Sequence, residues 1–215
     1  MVTTAGRGER FFFFYALALF AIVVSAFPLH ALINGDHLAP MRPHLHLHAV
    51  SMGLWYALMV VQTGLIARGR AGLHKTLGFA SLALVAIMLP TGIWVSWENM
   101  QRTGENTILI ANSANVTVFL VFYGLGLLNR TTAELHKRFM LFAGLALMLP
   151  AFARVTYVFH LNEYLVLPIW LFFLLAIPVY DLISQRKIKT ASLIGIGINV
   201  LYIGGLLVTT APPEG

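Results

Sequence analysis

The run Pro43-His44-Leu45-His46-Leu47-His48 puts three imidazoles within five residues, and imidazole is the usual protein ligand for transition metals and haem iron. Pro43 suits the first turn of a helix, where its missing N–H costs nothing, so the run is expected to open a helix. His44 and His48 then share one face at i, i+4 spacing and His46 points elsewhere. If the segment were extended, all three would lie on one side. Either geometry could hold a metal or supply an axial haem ligand.

Other residues of similar chemistry lie downstream. Arg154, Tyr157 and His160 are spaced by threes, which keeps them on roughly one helix face, and Glu163 follows. Arg154 falls about 9 Å inside its helix at 1.5 Å per residue, so its guanidinium must snorkel or find an acceptor. Glu98, Glu163, a haem propionate or an anionic substrate would each serve. A metal ion could draw on His44, His46, His48, Glu98 and His160. Trp94 and Trp97 fit an interfacial aromatic belt, and Asn112, Ser113 and Asn115 fit interhelical hydrogen bonding.

A pattern that occurs twice must position these groups. Leu65-Ile66-Ala67-Arg68, Leu73-His74-Lys75 and Met88-Leu89-Pro90 return as Leu127-Leu128-Asn129-Arg130, Leu135-His136-Lys137 and Met148-Leu149-Pro150. In both copies Arg precedes His by six residues, and a Met-Leu-Pro kink follows within a membrane-length helix. The fold expected is an all-α integral membrane bundle with a two-helix unit duplicated over about 45–97 and 108–160. His74 and His136 then occupy equivalent depths at helix starts, where they suit a bis-histidyl haem or a repeated anchor that caps a helix and meets phosphate with the following Lys.

Composition sets the solvent. With 59% hydrophobic and 10% charged residues, and a mean hydropathy of +0.81, the chain cannot present an ordinary hydrated surface. Apolar segments fall at about 11–29, 45–67, 77–97, 108–128, 139–159, 164–180 and 191–208, about seven spans in one transmembrane domain, 1–215. The first begins like a signal peptide but lacks a small-residue cleavage site, and Pro28-Leu29-His30 reads as the start of a loop, so a retained helix is expected.

With the N-terminus inside, eleven of the fourteen Lys and Arg fall on the cytoplasmic side, and only Arg42, Arg102 and Arg154 fall outside. The net charge of +6 therefore describes a basic rim facing anionic lipid rather than a nucleic-acid surface. This orientation places the C-terminus outside. It groups His30, His37, His44, His46, His48 and His160 near the outer face.

Several chemistries leave no trace in the chain. Cysteine is absent, which removes disulfides, thiolate ligands and cysteine nucleophiles. There is no phosphate-cradling glycine loop, His-Glu-x-x-His motif or nucleophile elbow. Gly195, Gly197, Gly204 and Gly205 in the last span allow close helix approach.

The segments from Gly64 through His74-Lys75 and from Gly126 through His136-Lys137, with Asn112 and Asn115, resemble the helix-loop-His-basic-helix units of small bacterial polytopic membrane proteins, including those associated with haem-copper oxidase assembly. The resemblance covers about 44–160 and implies a bacterial plasma-membrane location, with haem or copper contacts at His48, His74, His136 and His160. The chain departs from that pattern in having about seven spans instead of four.

Two readings of different class follow. In the first, a redox-linked membrane protein binds haem or copper through His44, His48 and His160, with Arg154 offsetting cofactor charge, and serves electron transfer or oxidase assembly. In the second, a cofactor-free accessory subunit binds lipid, quinone, or a respiratory or other membrane complex. Membrane enzymology at a His-bound metal is a variant of the first.

Overall fold

The computed structural model describes residues 7–35 and 42–210; His37 lies outside the described residues. The chain forms α1 (Arg7–Asn34), α2 (Pro43–Ala67), α3 (Ala71–Thr103), α4 (Thr107–Leu128), α5 (Ala133–Ala146), α6 (Leu149–Val158), α7 (Val166–Gln185) and α8 (Thr190–Thr210). One 3-10 turn, Glu163–Leu165, precedes α7, and no strand occurs among the described residues. Six helices are long and apolar enough to cross a membrane, and α5 with α6 passes the same test as a pair bent by 51°, giving up to seven spans. The protein is an all-helical integral membrane protein. Its many exposed large apolar side chains, Leu32, Phe79, Leu128, Ile183 and Val208 among them, suit contact with lipid.

Local chemistry accounts for the helix ends. Pro43 sits at the first position of α2, and Arg42 before it is held extended (φ −81°, ψ 156°), as a residue preceding proline must be. Gly69 closes α2 at φ 71°, where its carbonyl-capping turn bonds Arg70 N–H to Leu65 O at 2.9 Å.

Pro28 starts no loop: α1 continues past it to Asn34. In lipid an unsatisfied backbone group costs more than the one bond a proline removes, so a helix that is still crossing the membrane is continued rather than ended.

The two Met-Leu-Pro motifs behave differently. Pro90 lies within the continuous α3, whereas Met148-Leu149-Pro150 starts a new helix, so the fifth expected segment is two helices rather than one. Pro150 falls in the first turn of α6, where no N–H is required of it. The second copy has two residues fewer between its His and its Pro than the first, 14 against 16 positions.

The chain divides into two compact units. One comprises residues 1–91 and 148–172, the other residues 92–147 and 173–215, so α3 and α7 each contribute to both. In the first unit α1 packs against α2 and α6 over a core that includes Phe12, Leu19, Tyr56 and Phe152. In the second, α4, α5 and α8 pack on one another around Phe119, Phe122, Phe139 and Phe142, with the Phe122 ring stacked on Phe142 at 5.4 Å. The Phe142 ring also occupies the place a side chain at Gly195 would need, which fixes how near α8 comes to α5. A side chain at Gly197, Gly204 or Gly205 would meet nothing within 4 Å, so among the described residues only Gly195 of the four glycines expected to bring helices together does so.

Candidate functional site

In the first unit, polar groups from α1, α2, α3 and α6 converge. His48, half-buried on α2, directs Nδ1 at the Met88 carbonyl and the Thr91 hydroxyl of α3, 3.3 Å from each. The Thr91 hydroxyl already donates to Ile87 O at 2.8 Å, so both neighbours act as acceptors and His48 Nδ1 carries the proton. Its Nε2 is therefore the lone-pair nitrogen, the arrangement in which one imidazole nitrogen is held by a carbonyl and the other is available to a ligand.

His30 has the opposite tautomer. The Asn34 amide nitrogen lies 3.2 Å from His30 O and 3.1 Å from His30 Nδ1, so Nδ1 accepts and Nε2 bears hydrogen. The His30 ring lies 5.8 Å from that of Tyr157 on α6. One turn of α6 earlier, Arg154 donates to Pro150 O at 2.9 Å and rests 4.3 Å over the Phe27 ring of α1. Its charge acts on both His30 and His48. No carboxylate among the described residues pairs with Arg154, neither Glu98 nor Glu163. The cluster thus offers one lone-pair nitrogen, one ring N–H and one cation.

The remaining expected ligands are more dispersed. His44 lies one turn before His48 and is half-buried, and His46 is exposed. His160 does not share the face of Arg154 and Tyr157, because α6 ends at Val158 and His160 turns away at φ 51°. That left-handed residue closes the helix, with Leu161 N–H bonding Thr156 O at 2.8 Å and His160 N–H bonding Tyr157 O at 3.2 Å. Glu98 belongs to the other unit. Among the described residues no three His, Asp or Glu side chains gather where they could hold a metal ion. Trp94 and Trp97 are exposed on α3, as an aromatic belt requires.

The second unit holds two polar networks. Asn112 donates to Ser96 Oγ at 2.7 Å, Asn115 donates to Asn112 Oδ1 at 3.3 Å, and Tyr202 Oη donates to Asn115 Oδ1, tying α3, α4 and α8 together. The other network is charged. Arg138 and Asp181, both 0% exposed, meet through Arg138 Nε at 3.0 and 3.2 Å and through Nη2. Asp181 also accepts from Lys189 N–H at 3.1 Å and Ser192 Oγ at 2.5 Å, while Arg138 Nη1 reaches Glu134 at 2.8 Å. Each guanidinium nitrogen of Arg138 and each carboxylate oxygen of Asp181 is engaged, which marks the pair as a structural clamp joining α5, α7 and α8.

His74 and His136 are each the fourth residue of their helix, α3 and α5. His136 Nδ1 lies 2.8 Å from Gly126 O, anchoring the start of α5 to the end of α4. In the first repeat the equivalent carbonyl, Gly64 O, is taken instead by the Arg68 guanidinium at 3.2 Å. His136 is therefore an anchor within its own repeat.

Sequence reasoning missed the Arg138–Asp181 clamp and the part of His30. An aspartate within a span of mean hydropathy 2.2 was the available signal for the first. For the second it was the i, i+4 pair His30 and Asn34, obscured by the loop expected at Pro28. No family model, curated protein or solved structure matches the chain.

Proposed function

We propose that the protein is a redox-linked membrane protein that binds haem beside His48. The observation that carries this reading is the His48 tautomer, with Nδ1–H held by Met88 O and Thr91 and Nε2 left as a lone pair, in the field of the Arg154 cation, which pairs with no carboxylate among the described residues. One axial nitrogen and one guanidinium suit a haem iron and a propionate, whereas copper bound by protein side chains alone needs more donors than gather among the described residues. His48 would hold the iron and Arg154 a propionate; haem bound there would supply a one-electron couple. The rest belongs to the protein: Met88 O fixes the tautomer and orientation of His48, and Phe27 holds the Arg154 guanidinium in place by stacking.

A cofactor-free reading draws on His30. Its Nε2–H, together with the Arg154 guanidinium whose charge acts on the ring, offers donors that a quinone carbonyl or a lipid phosphate accepts as readily as a propionate does.

The test is the ultraviolet-visible spectrum of detergent-purified protein from haem-sufficient cells, air-oxidised and dithionite-reduced. The reading requires a Soret band that shifts on reduction, is lost in His48→Ala and survives in His46→Ala. A colourless protein, or a band unchanged in His48→Ala, overturns it and moves effort to quinone and lipid binding.

A further inference from the structure

We propose that the α2–α3 turn binds the phosphate of an anionic phospholipid, which takes the place of a carboxylate that the second repeat carries in its own chain. The repeats align without gaps from Gly64 on Gly126 to Lys75 on Lys137. Within that window Glu134 of the second repeat corresponds to Gly72 of the first. Glu134 occupies the first turn of α5, 3.0 Å from Lys137 Nζ and 2.8 Å from Arg138 Nη1. It compensates both cations and the positive end of the α5 dipole.

The first repeat keeps Lys75 in the place of Lys137, carries Thr76 in the place of Arg138 and Arg70 in the place of Thr132, and lacks the acid. Arg68, Arg70 and Lys75 are exposed, and none pairs with a carboxylate among the described residues. No acidic residue stands in the first turn of α3. Arg70, directly before that helix, has no side-chain acceptor with which to cap the first N–H groups. At Gly72, where Glu134 would project, there is nothing within 4 Å. Lys75 therefore stands three residues after Gly72 as Lys137 stands three after Glu134, and the space at Gly72 is open to an anion from outside.

The occupant follows from location. The turn joins two membrane-crossing helices within three residues, 68–70, so its side chains lie at headgroup depth whichever face of the membrane they meet. The anion present there at high local concentration is a phospholipid phosphate.

The experiment is thermal unfolding of the full chain in neutral detergent, titrated with short-chain phosphatidylglycerol, phosphatidylcholine or inorganic phosphate. Phosphatidylglycerol is expected to raise Tm saturably and the other two to leave it unchanged. Arg70→Ala with Lys75→Ala should weaken the apparent Kd about 25-fold, about fivefold per cation. Gly72→Glu should raise Tm without lipid and remove the phosphatidylglycerol response, and Arg130→Ala should keep that response. An equal response to phosphatidylcholine means generic lipid solvation, and an equal response to inorganic phosphate means a free-anion site; either overturns the proposal. So does a phosphatidylglycerol response that is absent from the wild type or persists in both Gly72→Glu and the double variant.

Discussion

Replacing Asp181 with leucine removes the partner of the most deeply buried cation among the described residues. Arg138 would lose the contacts at 3.0 and 3.2 Å from Nε and the contact from Nη2, while keeping its contact with the half-exposed Glu134. Breaking a buried ion pair from one side costs about 3–5 kcal/mol, because the remaining charge is stranded. The Ser192 hydroxyl and Lys189 N–H, both donors to Asp181, lose an acceptor at about 1 kcal/mol each. Glu134 offsets part of this, so Asp181→Leu is expected to cost about 4 kcal/mol. Arg138→Met should cost about 3 kcal/mol, since Asp181 keeps its two other donors. In the double variant no charge is stranded, and only those two donors are left over, at about 2 kcal/mol. The double variant should thus fall short of the summed single costs by several kcal/mol. Sodium dodecyl sulfate titration in mixed micelles, read by circular dichroism, measures all three. A double variant that equals the sum of the singles within about 0.5 kcal/mol would refute the clamp.

Further outcomes follow from single contacts. Gly195→Leu should destabilise by about 1–3 kcal/mol or more because Phe142 occupies the space, whereas Gly197→Leu should be close to neutral, as the same titration would register. Tyr202→Phe should cost about 1–2 kcal/mol by leaving Asn115 Oδ1 without its buried donor, and the measured loss should vanish when Asn115→Leu is already present. His160→Gly should raise Tm, since φ 51° strains any residue with a side chain by about 1 kcal/mol. A fall in Tm would mean that the imidazole itself contributes more than its backbone costs.

The membrane class, the approximate spans and the repeat are properties of the sequence because they depend on averages and periods: a 20-residue apolar stretch must cross lipid whatever surrounds it. The i, i+4 placement of His44 and His48 and the first-turn position of Pro43 were legible for the same reason, since local geometry alone decides them. The fate of each proline was not. Pro28 and Pro90 lie within helices and Pro150 begins one, because the cost of a missing N–H depends on what the rest of the helix must still bury.

The site also waited for the fold. His48 acquires its tautomer from the Met88 carbonyl, 40 residues away, and Arg154 finds the Phe27 ring rather than Glu98 or Glu163. Arg138 looked like one more residue of a basic rim until Asp181, 43 positions on, took it out of water. Such pairings separate a solvated charge from a clamp and a surface histidine from one whose tautomer is fixed. They are long-range contacts, set by helix packing, and no short-range pattern encodes them.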